Sequence, residues 1–319
     1  MTEKRGRIIL GPMEGVLDAL MREMLTEIND YDLCVTEFVR VVDRRLPESV
    51  FFRLCPELEH GGVTPSGTPV RVQLLGQDEN WLAENAVRAI DLGSPGVDIN
   101  FGCPAKTVNR NRGGATLLKD PEQIYRIVKA SKEAIDQRAP LSAKVRLGWD
   151  NPSQCDEVVD AVYQAGANEL TIHARTKEDG YKAEAIKWHY IDEMRQKYKI
   201  PLIANGEIWD YASAEACRDT TGCEDVMVCR GALNLPNLGN VAQYNTPPMP
   251  WSEVIQLLLR YSQFEIEGIK AAYYPNRIKQ WFSYLRHQYP QAKVLFGDIR
   301  TLKKIEDIIP VLRAAAERA

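Results

Sequence analysis

Apolar residues along this chain fall into two alternating rhythms. Short runs rich in Val, Ile and Leu lie at residues 8–13, 33–39, 70–75, 96–100, 141–146, 170–173, 201–204 and 225–228. Between most of them come longer stretches with apolar residues every three or four positions, at 17–28, 81–92, 121–135, 156–165, 186–198 and 211–219. The short runs read as strands and the longer stretches as amphipathic helices. Strand followed by helix, repeated through eight strands, predicts an α/β fold of the (β/α)8 TIM-barrel type.

In such a barrel the active site gathers at the C-terminal ends of the strands. Polar residues should therefore follow the runs, and they do. The first run ends in Pro12, Met13 and Glu14, the third carries Gln73, and the fourth ends in Asn100 and Cys103. The fifth carries Lys144 and Arg146, the sixth ends at His173, the seventh at Asn205, Gly206 and Glu207, and the eighth at Cys229 and Arg230.

After Pro250 the rhythm changes to helices alone, at 251–267, 278–288 and 302–316, beyond a linker of residues 244–250 stiffened by three prolines. We therefore expect a barrel domain over 1–245 and a smaller all-helical bundle domain over 246–319. Residues 249–319 hold 11 Lys and Arg against 7 Asp and Glu, a net +4 in a chain whose overall charge is −4. A basic tail on an acidic body suits phosphate binding, and equally suits solvated helix faces.

Composition narrows the class. Apolar residues make up 45% of the 319 and charged residues 26%, values ordinary for a soluble globular protein. No apolar run is long enough to span a membrane and the N-terminus lacks a signal peptide, so the expected location is the cytoplasm. Seven scattered cysteines and four histidines show no metal-ligand spacing, which argues for free thiols and no metal.

The chemistry of the barrel mouth can be read in part from residue type. Glycine at 206 and 231, after the seventh and eighth strands, with Arg230 between, fits backbone N–H groups that cradle a phosphate, or two tight turns. Lys144 could form a Schiff base, hold the anionic edge of a reduced flavin, or simply pair with Glu207. His173 is a cofactor contact or a satisfied core histidine. Cys103 sits between a strand and a proline turn that leads into the Gly-rich run 109–115, a placement suited to chemistry as well as to structure.

Eight segments then carry a resemblance to a known family: GPMEGV (11–16), VRVQLLG (70–76), DINFGCPAKTV (98–108), RGGATLLKDP (112–121), KVRLGW (144–149), HARTKEDGY (173–181), IANGEI (203–208) and CRGAL (229–233). In order and spacing they resemble the bacterial tRNA-dihydrouridine synthases over nearly the whole chain. TEFVRVVDRRLP (36–47) and RIKQWFSYLR (277–286) look most like the C-type subgroup, DusC.

The resemblance implies an FMN enzyme that reduces the C5=C6 bond of a D-loop uridine in tRNA, at position 16 by subgroup, with NADPH or NADH as reductant. By position, Pro12, Met13, Glu14 and Gln73 would line the flavin, Lys144 and His173 would contact its rings, and Asn205, Gly206, Glu207, Cys229 and Arg230 would hold its phosphate. Asn100, Arg146 and Tyr181 would hold the uracil, and Cys103 would be the general acid. Arg40, Arg44 and Arg45, with Arg277, Lys279, Trp281 and Arg286, would meet the tRNA. No protein partner is implied, and a monomer is expected. Two departures from the family pattern stand out: Phe101 in the N-x-G-C motif, and Arg110-Asn111-Arg112 where relatives often have small residues.

Other readings stay open on the residues alone. A flavin-dependent barrel acting on a free pyrimidine or small enone explains the mouth but leaves the basic helices without a task. A non-catalytic tRNA-binding protein would bind RNA without changing it.

Overall fold

The computed structural model describes residues 4–264 and 269–319, and the side chains among these except those of 269–272. Eight strands, β1 (Ile8–Leu10), β2 (Leu33–Arg40), β3 (Val70–Leu75), β4 (Val97–Asn100), β5 (Leu141–Arg146), β6 (Glu169–His173), β7 (Leu202–Asn205) and β8 (Val226–Val228), pair in sequence order. All pairs are parallel and β8 returns to β1, closing the barrel. Each expected strand is present, within three residues at either end.

Ten helices accompany the strands: α1 (Ala19–Glu27), α2 (Glu48–Leu54), α3 (Glu79–Asp91), α4 (Lys106–Arg110), α5 (Pro121–Ile135), α6 (Cys155–Gln164), α7 (His189–Lys197), α8 (Tyr211–Thr221), α9 (Arg230–Asn234) and α10 (Leu238–Tyr244). Four of them open on an aspartate whose carboxylate accepts from the first turn: Asp18 from Met21, Asp78 from Trp81, Asp120 from Gln123 and Asp210 from Ser213. These caps satisfy N–H groups that the helix itself cannot, and they set where each helix starts. The short helices α2, α4, α9 and α10 were not foreseen, because elements of five to seven residues show too few turns for a periodic signal. Residues 186–188, expected in helix, lie before α7.

Strand alternation gives the barrel an unequal interior. One half, from β1, β2, β7 and β8, is an apolar plug of Ile9, Leu33, Val35, Ile203 and Met227. The other half is polar. Arg71 on β3 pairs with Glu169 on β6, which also takes Arg7 at 2.7 Å. Burial alone would raise the Glu169 carboxyl, but the two guanidiniums hold it below the ordinary carboxylate range. Above this layer, register sets Asn100 opposite Lys144, Arg146 opposite His173, and His173 opposite Asn205. The polar residues thus rise in tiers toward the C-terminal mouth.

Among the described residues beyond Pro250 the regular elements are helices: α11 (Trp251–Ser262), α12 (Ile269–Leu285), α13 (Pro290–Ile299) and α14 (Ile305–Ala316). The expected extension of α11 through residue 267 falls partly outside the described residues. Helix α12 starts well before the expected 278 and contains Pro275, and α13 was not foreseen. Their apolar faces continue the core of the barrel rather than close a separate one. Trp281 of α12 is the hinge of that continuity: it is 1% exposed, packs edge-on against Tyr261 of α11 at 5.2 Å, and donates its indole N–H to the Leu233 carbonyl of α9 at 3.2 Å. Among the described residues no helix is long and apolar enough to cross a membrane.

Candidate active site

At the C-terminal end of the barrel lies a cavity of about 620 Å³. Its walls include each residue that the resemblance placed at flavin, uracil or proton transfer, from Pro12 on the first loop to Arg230 on the last. They meet because inward positions at the ends of β3 to β8 face one another across the closed barrel.

The Cys103 loop is held by a relay of side-chain bonds. Ser142 donates to one oxygen of the buried Asp98 at 2.5 Å, and Gln73 donates Nε2–H to the other at 2.7 Å. With that amide oriented, Gln73 Oε1 accepts from Asn100 Nδ2 at 2.8 Å. Asn100 Oδ1 is thereby turned toward the loop, where it accepts the backbone N–H groups of Gly102 and Cys103, both at 2.9 Å. Three of the four hydrogen-bonding positions of the Asn100 amide are spent on the protein, leaving one N–H for a ligand. From the other side, Arg146 donates Nε–H to Gly102 O at 2.9 Å. Gly114, at φ +60°, packs where a Cβ would lie 2.9 Å from Cys103 O, so a side chain there would crowd the loop.

Burial pushes the Cys103 thiol up from its ordinary value, with Glu14 acting in the same direction and Arg146 and Arg40 opposing. The group is therefore a neutral thiol near neutrality, able to give a proton. Its carbonyl is fixed by Ala115 N–H at 3.0 Å.

Across the cavity, Lys144 donates to Asn205 Oδ1 at 2.9 Å. The alternative in which Lys144 pairs with Glu207 is not what the chain does. Glu207 is committed instead to the buried Arg175 at 2.6 Å, to Trp209 Nε1 at 2.9 Å and to Arg230 at 3.4 Å. Burial, chiefly, lowers the pKa of Lys144, and Arg146 adds to that. Among the described residues no carboxylate lies in salt-bridge range of its ammonium, which leaves a buried cation facing the cavity without a counter-ion.

Beside it, His173 is held far below its ordinary pKa, first by burial and then by the charges of Arg146, Lys144, Arg175 and Arg230. It is a neutral imidazole, with Arg175 at 3.3 Å from its Nε2. Gly206 stands at φ +122° where a Cβ would meet Ile186 at 2.7 Å and the His173 ring at 3.0 Å, and Glu207 itself sits at φ +58°. Among the described residues the backbone N–H groups of Gly206, Glu207, Arg230 and Gly231 have no acceptor in the protein. Four free N–H groups beside a guanidinium form an anion cradle at the ends of β7 and β8.

Tyr181 roofs the cavity. Its exposed ring lies 5.2 Å from the Arg146 guanidinium and 4.6 Å from that of Arg230. Arg146 is anchored through Nη1 by Thr176 O and Gly180 O, each at 3.1 Å, beside the Tyr181 ring on the cavity wall. Sequence reading missed two aromatic walls, Phe38 and Trp209, and set Tyr284 in the cationic, aromatic segment expected at the RNA surface or in the core, not at the mouth. Phe38 lies near the C-terminal end of β2 and Trp209 follows β7, so both could have been found by that rule. Tyr284 reaches the mouth from α12, which no local pattern reveals.

The expected RNA-facing residues divide. Arg40 is exposed at the end of β2, Arg44 pairs with Asp43 at 3.0 Å, and Arg45 with Asp91 at 3.6 Å. Lys279 donates to Leu302 O at 2.9 Å and Arg286 lies over Phe296 at 5.4 Å. Arg277 is half-buried and ties α12 to the first loop through Asp18 at 2.7 Å, Val16 O at 2.7 Å and Gly15 O. Trp281 corrects the expectation outright: its indole is enclosed by α9 and α11, which leaves no face for a base. All seven cysteines are free, and no metal-binding group of side chains occurs among the described residues.

With this geometry in hand, the comparisons are specific. The chain is 66% identical over 306 residues to the tRNA-dihydrouridine(16) synthase of Vibrio cholerae, covering 96% of this chain and 95% of that one. It is 58% identical to that of Escherichia coli K12, covering 97% and 98%. Among solved structures, morphinone reductase superposes with a TM-score of 0.55 at 12% identity, over 76% of this chain and 87% of that one, a likeness of fold alone. The sequence model described as "Dihydrouridine synthase" matches residues 9–312. Barrel, mouth and sequence agree, and the chain belongs to the dihydrouridine synthase family.

Proposed function

We propose that this chain is a tRNA-dihydrouridine synthase that reduces the C5=C6 bond of uridine 16 in the D-loop, using FMN with NADPH or NADH as the electron source. The observation that supports it best is the meeting, in one cavity, of a neutral thiol on a fixed loop with an unpaired buried ammonium and a cradle of free N–H groups. Relatives of the same length and more than half identical carry that activity in their names. Because tRNA is a cytoplasmic substrate, the enzyme belongs in the cytoplasm, acting as a monomer.

The cavity suits a flavin phosphate and ring. Gly206, Glu207, Arg230 and Gly231 would take the phosphate through N–H groups that otherwise lack acceptors, and Lys144 would supply the positive charge that the pyrimidine edge of a reduced flavin needs. His173, being neutral, adds no competing charge. Pro12, Met13, Glu14, Gln73, Asn205 and Cys229 complete the walls. When bound and reduced, the flavin supplies a hydride equivalent for C6 of the base.

The remaining chemistry belongs to the chain. Arg146 offers its guanidinium to the uracil carbonyl on which negative charge develops, which lowers the barrier to addition. Asn100 offers its one free N–H to the base edge, and Tyr181 closes over the ring. Cys103 gives its thiol proton to C5, completing net addition of a hydride and a proton. The uridine must leave its stack to reach the barrel mouth. Arg40, Arg44, Arg45, Lys279 and Arg286 would receive the RNA backbone, with Arg277 holding α12 against the first loop.

The decisive experiment is to map dihydrouridine by position in unmodified tRNA incubated with the protein, FMN and NADPH. Product at position 16 only would establish the reading. Reduction of free uridine but not of tRNA would replace it with a small-molecule oxidoreductase, and binding of tRNA without product would make the chain a non-catalytic binder.

A further inference from the structure

A second cavity, of about 290 Å³, is lined in part by the continuation of the Cys103 loop. One loop serves both: its start, from Gly102 to Ala105, walls the active site, and its continuation, from Val108 to Gly113, walls the second groove. Three arginines converge on that groove, Arg40 from the end of β2 and Arg110 and Arg112 from the loop. All three are exposed, and no Asp or Glu is among the residues that line the groove. Among the described residues, no guanidinium of the three is ion-paired or hydrogen-bonded to the protein. Neighbouring arginines are otherwise paired, Arg44 with Asp43 and Arg45 with Asp91.

Three like charges held around one groove repel one another, and in a chain of net charge −4 their lack of partners is not a matter of scarce carboxylates. The backbone adds a second observation. Arg112 is held at φ +55°, a left-handed conformation that a non-glycine residue adopts only at some cost.

Resting on the proposed tRNA reduction, we propose that this groove binds a phosphodiester of the RNA strand next to the target uridine, clamped by Arg110 and Arg112 with Arg40. Guanidiniums present paired donors that match phosphate oxygens. A flexible single strand that delivers its base beside the start of the Cys103 loop brings its backbone within reach of the continuation of that loop. Val42, exposed on the groove wall, offers apolar contact to a sugar. A phosphate seated there would also neutralise Arg40, one of the charges that otherwise favour loss of the Cys103 proton.

The test uses flavin-loaded protein and unmodified tRNA, with Kd measured across a salt series for wild type and for the double variant Arg110→Gln/Arg112→Gln. Flavin content of the variant reports that it has folded. For a single strand each neutralised phosphate contributes about 0.7 to the slope of log affinity against log salt, so loss of one or two contacts should flatten the slope by about 0.7 to 1.4. Kd should rise about tenfold at low salt. Phosphate-ethylation interference should weaken at the nucleotides flanking the target and nowhere else. Unchanged Kd and slope, or interference lost at a distant phosphate, overturns the groove. So does a raised KM for NADPH with tRNA affinity intact, which would make the arginines a dinucleotide site. If wild type forms no dihydrouridine in tRNA at all, the underlying reading fails instead.

Discussion

Asn100 Oδ1 accepts the Cys103 backbone N–H at 2.9 Å, so the residue that ends β4 holds the proposed acid in place. The same oxygen binds Gly102 N–H, and the opposite end of the amide is tied to Gln73. Orientation is imposed from below by Asp98, whose two oxygens accept from Ser142 and Gln73. A residue outside the cavity walls thus decides which way two cavity amides face.

Asp98→Asn should therefore reduce kcat by about 10- to 100-fold through misplacement of the loop, since small errors in a reacting group are costly. KM for tRNA should change much less. Asp98→Glu, which keeps the acceptors, should not restore the rate in so tight a layer, whereas Ser142→Ala should have a milder effect. Equal losses in kcat and in tRNA affinity would mean that Asp98 matters for the fold and not for the loop.

Cys103→Ala should retain flavin and tRNA binding while kcat falls about 10²- to 10⁴-fold, the usual range for loss of a general acid. The thiol acts in its protonated form, and its pKa is raised by burial from an ordinary 9.0. Activity of the wild type should accordingly hold through that value and decline only as pH climbs above it. With rates normalised to bound flavin, a pH–rate profile with an alkaline limb below 9 would contradict the assignment, as would the same limb persisting in the variant.

Lys144→Gln should weaken flavin binding by about tenfold or more, read as flavin fluorescence released on dilution. Burial has lowered the pKa of this ammonium from 10.5, so its charge is present at low pH and fades as pH rises through the depressed value. Flavin retention by the wild type should fall over that window and that of the variant should fall less. A variant that keeps its flavin at every pH would remove Lys144 from the cofactor site.

Trp281→Phe should lower stability by about 1–3 kcal/mol, because the Leu233 carbonyl loses its donor in a buried setting. Trp281→Ala should cost about 3–5 kcal/mol as a core cavity. Affinity for tRNA, measured well below the melting transition, should not change in the Phe variant. A loss of affinity without loss of stability would return the indole to the RNA surface.

The strands of this protein, the inward residues they carry and the thiol loop were legible from sequence because they are local. A strand alternates faces every residue, so Lys144 and Arg146 share a side whatever surrounds them. What those side chains bind was decided only by closure of the barrel. Lys144 meets Asn205, 61 positions away, and Glu207 turns to Arg175, a choice set by register across three strands. Trp281 and Tyr284 stand three positions apart in one cationic, aromatic segment, yet one is sealed in the core and the other opens on the active site. Which face of α12 meets α9 and α11 depends on packing between distant segments, and neither periodicity nor composition carries that information.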